Sequence, residues 1–317
     1  MQLVTGGAGF LGSHLVDALV RMGKRVRVLD ALIARPGEDG ARQRDRVAKF
    51  GRAVDFVEGD VRDPLVVQRA MVGVKRVFHL GHFTGSRMSM PNAAACLETN
   101  VLGTQVVLDA MDAARVPSLV LCSHGCVYGE VRQRGAREGD APSASTPFAA
   151  SMVAAEALAT AWQTTSRGAV SIVRPFTTYG PRMRPGSSVR AFLEAADSGR
   201  DAILFGQDTS RDYVFASDVV RVLVEARRVR SERGPAIFNA ASGRPVGILE
   251  LVREMEVITG SPIRTAFAAR PPGDLRGSWG DPAHTSDKLG VRARTTLPEG
   301  LATTLRWLRK RPADPRA

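Results

Sequence analysis

The sequence predicts an α/β protein: a doubly wound, mainly parallel sheet with helices on both faces and a smaller lobe at the carboxyl end. Three observations carry that prediction. Short β-branched runs alternate with longer amphipathic stretches over residues 1–175, the pattern of a parallel sheet built from strand–helix units. A glycine-rich turn, Thr5-Gly6-Gly7-Ala8-Gly9-Phe10-Leu11-Gly12, joins the first strand to the first helix. A carboxylate, Asp30, stands at the end of the second strand.

In chain order, strands are expected over 2–5, 25–29, 53–57, 76–80, 118–122 and 169–174, and helices over 11–22, 64–71, 91–114 and 147–166. After Pro175 the rhythm loosens. A turn-rich loop at 181–188 precedes helical stretches at 189–198 and 216–229, a Pro/Gly loop covers 271–280, and a last helix covers 300–311. The expected division is a dinucleotide-binding domain over 1–175 and a substrate lobe over 176–317, with some of the latter chain returning to the sheet.

The chain has 317 residues, 44% hydrophobic and 24% charged, a balance that supports a sizeable core and excludes wholesale disorder. No apolar run reaches the roughly 18 residues of a membrane span. The glycine turn begins at Gly6, too early for a secretory leader. Three cysteines, Cys96, Cys122 and Cys126, make neither a disulfide framework nor a four-ligand zinc site. A cytoplasmic protein without a metal or membrane partner is expected. The net charge is +12, yet the arginines are scattered, with the densest cluster at 306–316. No aromatic residues interleave with a basic stripe, as a single-strand binder requires, so nucleic acid is not an expected partner.

The glycine turn has a specific use. Gly6, Gly9 and Gly12 allow a tight turn, close backbone approach to a pyrophosphate, and close helix packing. The N–H groups of the helix start, at Phe10 and Leu11, supply positive dipole to that anion. Asp30 accepts from a ribose 2′-hydroxyl and repels a 2′-phosphate, which points to NAD. Arg35, close by in sequence, is the feature that suits NADP instead.

The glycine spacing, GxxGxxG, and several later segments make the chain resemble the extended short-chain dehydrogenase/reductase family, which includes nucleotide-sugar epimerases and dehydratases. Gly59-Asp60-Val61-Arg62-Asp63 resembles the segment that holds adenine, and Leu80-Gly81-His82 the strand end under the nicotinamide ribose. Asn100-Val101-Leu102-Gly103-Thr104, Val127-Tyr128-Gly129, Arg174-Pro175-Phe176 and Tyr179-Gly180-Pro181-Arg182 follow in family order. The resemblance implies a Rossmann-like fold and bound NAD. Its cofactor contacts would fall at Gly6, Gly9, Phe10, Leu11, Gly12, Asp30, Asp60, Val61, Leu80, Gly81, His82, Asn100, Cys122 and Phe176. It further implies a nucleotide-sugar substrate held by Thr177, Ser188, Val189, Arg211, Tyr213, Asp274 and Arg276. Arg211 begins the Arg-Asp-Tyr-Val segment that meets the diphosphate. Family members often dimerise through the helices matching 91–114 and 147–166, so a homodimer is expected.

The resemblance breaks at the chemistry. The family uses a Ser/Thr, a Tyr and a Lys four residues after that Tyr. The matching positions here are His124, Phe148 and Met152. Residues four after the three tyrosines, Tyr128, Tyr179 and Tyr213, are Arg132, Met183 and Ser217. No Tyr-x-x-x-Lys exists in the chain, and loss of a positioned acid or base typically costs about 10²–10⁴ in rate. His124 has two readings: a substitute acid/base group, or a ring filling the space left by the phenol. Cys126 occupies a position where GDP-fucose synthases carry a proton-transferring Cys; its other reading is core packing. Dehydratases carry Glu there, so elimination is not expected. His82 reads as a pocket wall or a third acid/base candidate. An NAD-dependent epimerase or oxidoreductase with an altered proton-transfer set is the leading expectation. A catalytically degenerate NAD-binding partner and a non-redox isomerase or cyclase are the alternatives.

Overall fold

A computed structural model describes residues 1–33 and 40–310; Arg35 and the basic tail beyond Lys310 lie outside the described residues. The first half runs β1 (Gln2–Thr5), α1 (Phe10–Arg21), β2 (Val26–Asp30), α2 (Gly40–Phe50), β3 (Val54–Glu58), α3 (Pro64–Met71) and β4 (Arg76–His79). Then come α4 (Ser86–Ser89), α5 (Ala93–Leu97), α6 (Gly103–Ala113), β5 (Ser118–Cys122), α7 (Pro147–Ser166) and β6 (Ala169–Pro175). The second half runs β7 (Thr177–Tyr179), α8 (Ser188–Ser198), β8 (Ala202–Phe205), β9 (Ser210–Phe215), α9 (Ala216–Ala226) and β10 (Ala236–Ala240). It closes with β11 (Pro245–Gly247), α10 (Ile248–Thr259), β12 (Thr265–Ala268), β13 (Gly277–Ser278), α11 (Ala283–Leu289) and α12 (Leu297–Arg309).

The main sheet has seven strands in the order β10-β6-β5-β4-β1-β2-β3, and every pairing in it is parallel. It is the doubly wound Rossmann-like sheet that the sequence predicts. The central strand β5, Ser118–Cys122, is buried at all five positions, as a strand covered on both faces must be. One face packs α1 and α9, through Leu15, Val16, Leu19, Val219 and Leu223. The other packs α3, α6 and α7, through Val67, Met71, Leu108, Met111 and Ala155. A third apolar cluster sits in the lobe, around Tyr179, Leu193, Leu251 and Leu301. Strand order reverses between β1 and β4, which opens a crevice at their carboxyl ends where such sheets take ligands.

One expectation needs correction. The stretch 91–114 is not one helix: α5 and α6 flank a single π-helical turn, Glu98–Leu102. The wide turn coincides with buried Asn100, whose amide exchanges hydrogen bonds with the backbone of Phe83; one-turn π-bulges of this kind re-aim a side chain at little cost in helix. The return of chain to the sheet is β10, paired in register with β6 from Ala236↔Ser171 to Ala240↔Pro175. Among the described residues no helix is long and apolar enough to cross a membrane.

Candidate active site at the carboxyl edge of the sheet

The glycine turn is shaped by close approach. Gly6 takes φ +68°, and a Cβ there would lie 2.6 Å from Leu80 O; one on Gly12 would lie 2.1 Å from Gly6 O. Gly9 is the N-cap of α1, with no side chain competing for the helix start and no acidic residue in the first turn. The first N–H groups of a helix have no intrahelical acceptor, so those of Phe10, Leu11 and Gly12 point out of the end of α1 as an anion cradle. Asp30 is already oriented: Oδ2 accepts from Ala8 N (2.9 Å) and Oδ1 from Leu32 N (3.0 Å). Asp60, after β3, accepts from the Arg62 backbone and guanidinium at 2.8–3.0 Å. That hydrogen-bonded guanidinium holds its carboxyl below the ordinary range. Val61 packs beside Gly81, where a Cβ would meet it at 3.0 Å and Thr5 Oγ1 at 3.1 Å.

One member of this edge was not singled out from sequence. Thr5 Oγ1 accepts from Leu80 N (3.1 Å) and Gly81 N (3.0 Å), so its own proton goes to His79 Nδ1 at 2.7 Å. His79 Nε2 therefore donates, to Thr104 Oγ1 at 3.1 Å, and Thr104 donates to Asn100 O at 2.5 Å. The chain fixes a neutral tautomer, and burial pushes His79 well below the usual imidazole range. His82 stands edge-on to it, ring centroids 4.4 Å apart, and burial lowers it to about 4.

Past β5 the character changes. His124 caps the short 3₁₀ turn Gly125–Tyr128, its Nδ1 accepting from Cys126 N at 3.0 Å. Its ring meets Phe148 edge-on at 5.3 Å. Phe148 and Met152 lie on the first turns of α7, whose start is set by Thr146 Oγ1 accepting from Ala149 N (3.2 Å) and by Pro147 at the first position, the residue types a helix start favours. Asn100 Nδ2 donates to Ser151 Oγ (2.8 Å) and lies 3.7 Å from Met152 Sδ. Burial, with the Arg184 charge nearby, pulls His124 down to about 4. The ring is thus neutral at neutral pH. With Nδ1 occupied as an acceptor, the proton sits on Nε2, which makes His124 a hydrogen-bond donor. Arg184 is held by Thr84 O (2.8 Å) and Thr84 Oγ1 (3.2 Å). Gly85, at φ +111°, leaves room for it: a Cβ there would lie 2.5 Å from Arg184 Nη2.

Cys126 is 5% exposed within the core cluster. Burial and the Glu156 charge push its thiol far up, and burial pushes Cys122 up to about 12. Both thiols stay protonated. Glu156 pairs bidentately with Arg174 (2.9 and 2.6 Å) and accepts from Ser123 Oγ. Arg174 Nη1 donates to Tyr128 OH (2.7 Å), which donates to Asn239 Oδ1 (2.9 Å). This buried network ties β5, α7, β6 and β10 beneath the site. Phe176 stacks on Tyr128 at 6.2 Å and lies under Gly125.

On the lobe side, β7 pairs with β9 so that Thr177 faces Tyr213. Arg211 Nη2 donates to Asp274 Oδ1 (2.8 Å) and Leu275 O (2.6 Å), and Nη1 to Arg276 O (3.2 Å). The structure therefore brings Thr177, Arg211, Tyr213, Asp274 and Arg276 to one rim. Ser188 and Val189 stand apart at the start of α8, Ser188 exposed and Val189 in the lobe core.

The NAD-dependent epimerase/dehydratase family model matches residues 2–241. The chain belongs to that family. A UDP-glucose 4-epimerase from Mycolicibacterium smegmatis is 31% identical over 319 residues, 98% of each chain. A dTDP-glucose 4,6-dehydratase from an Actinoplanes species is 29% identical over 316 residues, 97% of each. Among solved structures, MoeE5 in complex with UDP-glucose and NAD has a TM-score of 0.87 at 33% identity, over 98% of both chains. MoeE5 is also known in complex with UDP-glucuronic acid and NAD.

The cofactor of this epimerase/dehydratase-family chain is NAD, and its residues fit that group. The glycine cradle would be filled by any added Cβ at Gly6 or Gly12. The helix start offers N–H groups of the kind that bind a pyrophosphate, and the bonds from Ala8 N and Leu32 N hold Asp30, the residue that would take the ribose hydroxyls, in a fixed orientation at the end of β2.

Proposed function

We propose that this chain is an NAD-dependent enzyme that epimerises a nucleoside-diphosphate sugar, with His124 Nε2–H donating to the reacting sugar oxygen. The observation that supports this is the tautomer. A neutral imidazole with its proton fixed on Nε2 polarises a carbonyl or hydroxyl oxygen without losing that proton. It fills the place of the family's Ser/Thr donor. NAD, when bound, would accept and return the hydride; the hydroxyl proton lost on oxidation would pass to a water molecule at the site and come back on reduction, so epimerisation leaves the cofactor unchanged. Phe148 and Met152 line the apolar side of the site, Arg276 offers a guanidinium group to the diphosphate, and Arg211, whose Nη hydrogens go to Ser210 O, Asp274, Leu275 O and Arg276 O, holds that rim in place.

Arg184 supports a narrower substrate class. Its charge reaches His124, a guanidinium is a group that pairs with carboxylates, and MoeE5, at 33% identity, is known in complex with UDP-glucuronic acid as well as UDP-glucose. A uronic-acid sugar is therefore the favoured substrate over a neutral hexose.

A second reading is favoured by one observation. Neutral His124, Phe148, Met152 and the protonated Cys126 thiol provide a donor but no proton acceptor at neutral pH. A protein that binds NAD and the sugar nucleotide without turning it over fits that set.

The test is to incubate the protein with UDP-glucuronic acid, UDP-glucose and dTDP-glucose, in water and in D₂O, and follow products by NMR. Conversion of UDP-glucuronic acid is expected, lost in His124→Ala with NAD affinity within a few-fold of wild type. Arg184→Met is expected to weaken UDP-glucuronic acid by about tenfold to a hundredfold while leaving UDP binding unchanged. Tight binding without conversion across all three sugars moves the assignment to the second reading.

A further inference from the structure

The loop after β7 is tied to the cofactor half by polar groups. Pro181 O accepts from His14 Nε2 at 2.8 Å, and Arg182 Nη2 lies 2.6 Å from Asp17 Oδ2. His14 and Asp17 share one face of α1 with Phe10, which packs against the lobe core and meets His14 edge-on at 5.8 Å. Arg182 is held at φ +69°, a left-handed conformation that non-glycine residues seldom adopt. Its carbonyl and that of Ala8 are then spanned by one side chain from α2. Arg46 Nη1 donates to Ala8 O at 3.0 Å and Nη2 to Arg182 O at 3.4 Å. Ala8 is held through both of its backbone groups, since its N–H donates to Asp30 while its carbonyl accepts from Arg46. The phosphate loop, the ribose-binding carboxylate and the lobe are joined through this guanidinium.

We propose that Arg46 is the latch of the dinucleotide groove: its guanidinium bolts the phosphate loop at Ala8 to the lobe loop at Arg182, and NAD leaves only when this bolt opens. The fork geometry suits the task. A planar guanidinium reaches two carbonyls at once in a fixed arrangement, whereas an ammonium is a single point charge on a flexible stem. A cation held over the loop that cradles the pyrophosphate also adds attraction for the dinucleotide itself. The proposal rests on NAD as the cofactor and is independent of the sugar chemistry.

The test measures release of radiolabelled NAD from the full chain after a chase with excess unlabelled NAD, with no turnover required. Arg46→Met is expected to release NAD about tenfold faster than wild type, the loss of one charge-assisted pair of hydrogen bonds. Arg46→Lys, which keeps the charge and the fold but not the fork, is expected to lie between the two. Arg44→Met is the control: it is on the same helix, exposed, and paired with Glu58 at 2.9 Å, and it is expected to release NAD at the wild-type rate. Release within twofold of wild type in both Arg46 variants overturns the latch. So does an Arg44→Met rate equal to that of Arg46→Met, which would assign the effect to net charge on α2. Wild-type protein that takes up no NAD would instead break the family cofactor assignment itself.

Discussion

The two ends of the crevice are built from opposite materials. The end proposed for adenosine and pyrophosphate is glycine backbone, helix-start N–H groups and two carboxylates, and those carboxylates are already hydrogen-bonded in place. The end proposed for the sugar is a phenyl ring, a thioether and a neutral imidazole. The first end recognises charge with preset dipoles, which lose little on binding because the groups are already oriented. The second end is lined by apolar groups and offers a hydrogen bond. Dinucleotide binding and proton transfer are therefore separable in this fold: the network of Glu156, Arg174 and Tyr128 keeps β5 and α7 in register whatever stands at Phe148 and Met152.

The sharpest way to break that contrast is to rebuild the missing end. If the sugar end lacks only a proton acceptor, the double variant Phe148→Tyr/Met152→Lys should raise turnover of the preferred sugar nucleotide by about 10²–10⁴. Steady-state kinetics on NAD-loaded protein would measure it, with NAD affinity little changed. Unaltered turnover in a folded variant would mean that proton transfer is already served by another group, and the contrast would be lost.

Much of this was legible in the residues because the cofactor end is local. Gly6 to Gly12 are consecutive, Asp30 ends the next strand, and each works through backbone geometry that short segments dictate. The sugar end is assembled from β4, β5, α7 and the loop after β7, so which side chains face one another depends on packing. The electrostatic influence of Arg184 on His124, and the bonds of Arg46 to Ala8 and Arg182, span 60, 38 and 136 positions of sequence and have no local signature. The π-helical turn at Glu98–Leu102 was hidden for a related reason: its cause is the tertiary partner of Asn100, and local propensity there reads as plain helix. The helix α10 is absent from the sequence expectations although it had a local signal, with Ile248, Leu251, Val252 and Met255 buried at helical spacing. The helix α2 had little, since Gly40–Phe50 carries few apolar residues.

On the cofactor side the same contrast is sharpened by Gly12→Ala. The new methyl would lie 2.1 Å from Gly6 O and 2.9 Å from Gly7 Cα, both backbone atoms that cannot rotate away. Overpacking of this kind costs about 1–3 kcal/mol, to be read as a lower urea midpoint, and it should weaken NAD because the cradle must open to admit the methyl. Gly12→Ala with unchanged midpoint and unchanged NAD affinity would show that the cradle tolerates what the geometry forbids.

The smallest effect tests the imidazoles. His124 and His82, at the sugar end, and His14, on α1, are each lowered to about 4 from an ordinary 6.5, chiefly by burial. Between those two values the unfolded chain binds a proton at each ring that the folded chain does not. Folding stability is therefore flat above pH 6.5 with respect to these groups and falls as pH drops from 6.5 towards 4. Each ring contributes a slope of at most about 1.4 kcal/mol per pH unit. His124→Gln should remove one such increment from the acid limb of the urea-midpoint profile and change nothing above pH 6.5. His14→Gln should remove a similar increment, while also releasing Pro181 O from α1. If His124→Gln leaves the acid slope as it was, the ring titrates in the folded protein as it does in the unfolded chain and carries a proton on both nitrogens once the pH falls below about 6.5. The Cys126 N–H would then lose its acceptor in that acid range, and the fixed Nε2–H tautomer would hold only above it.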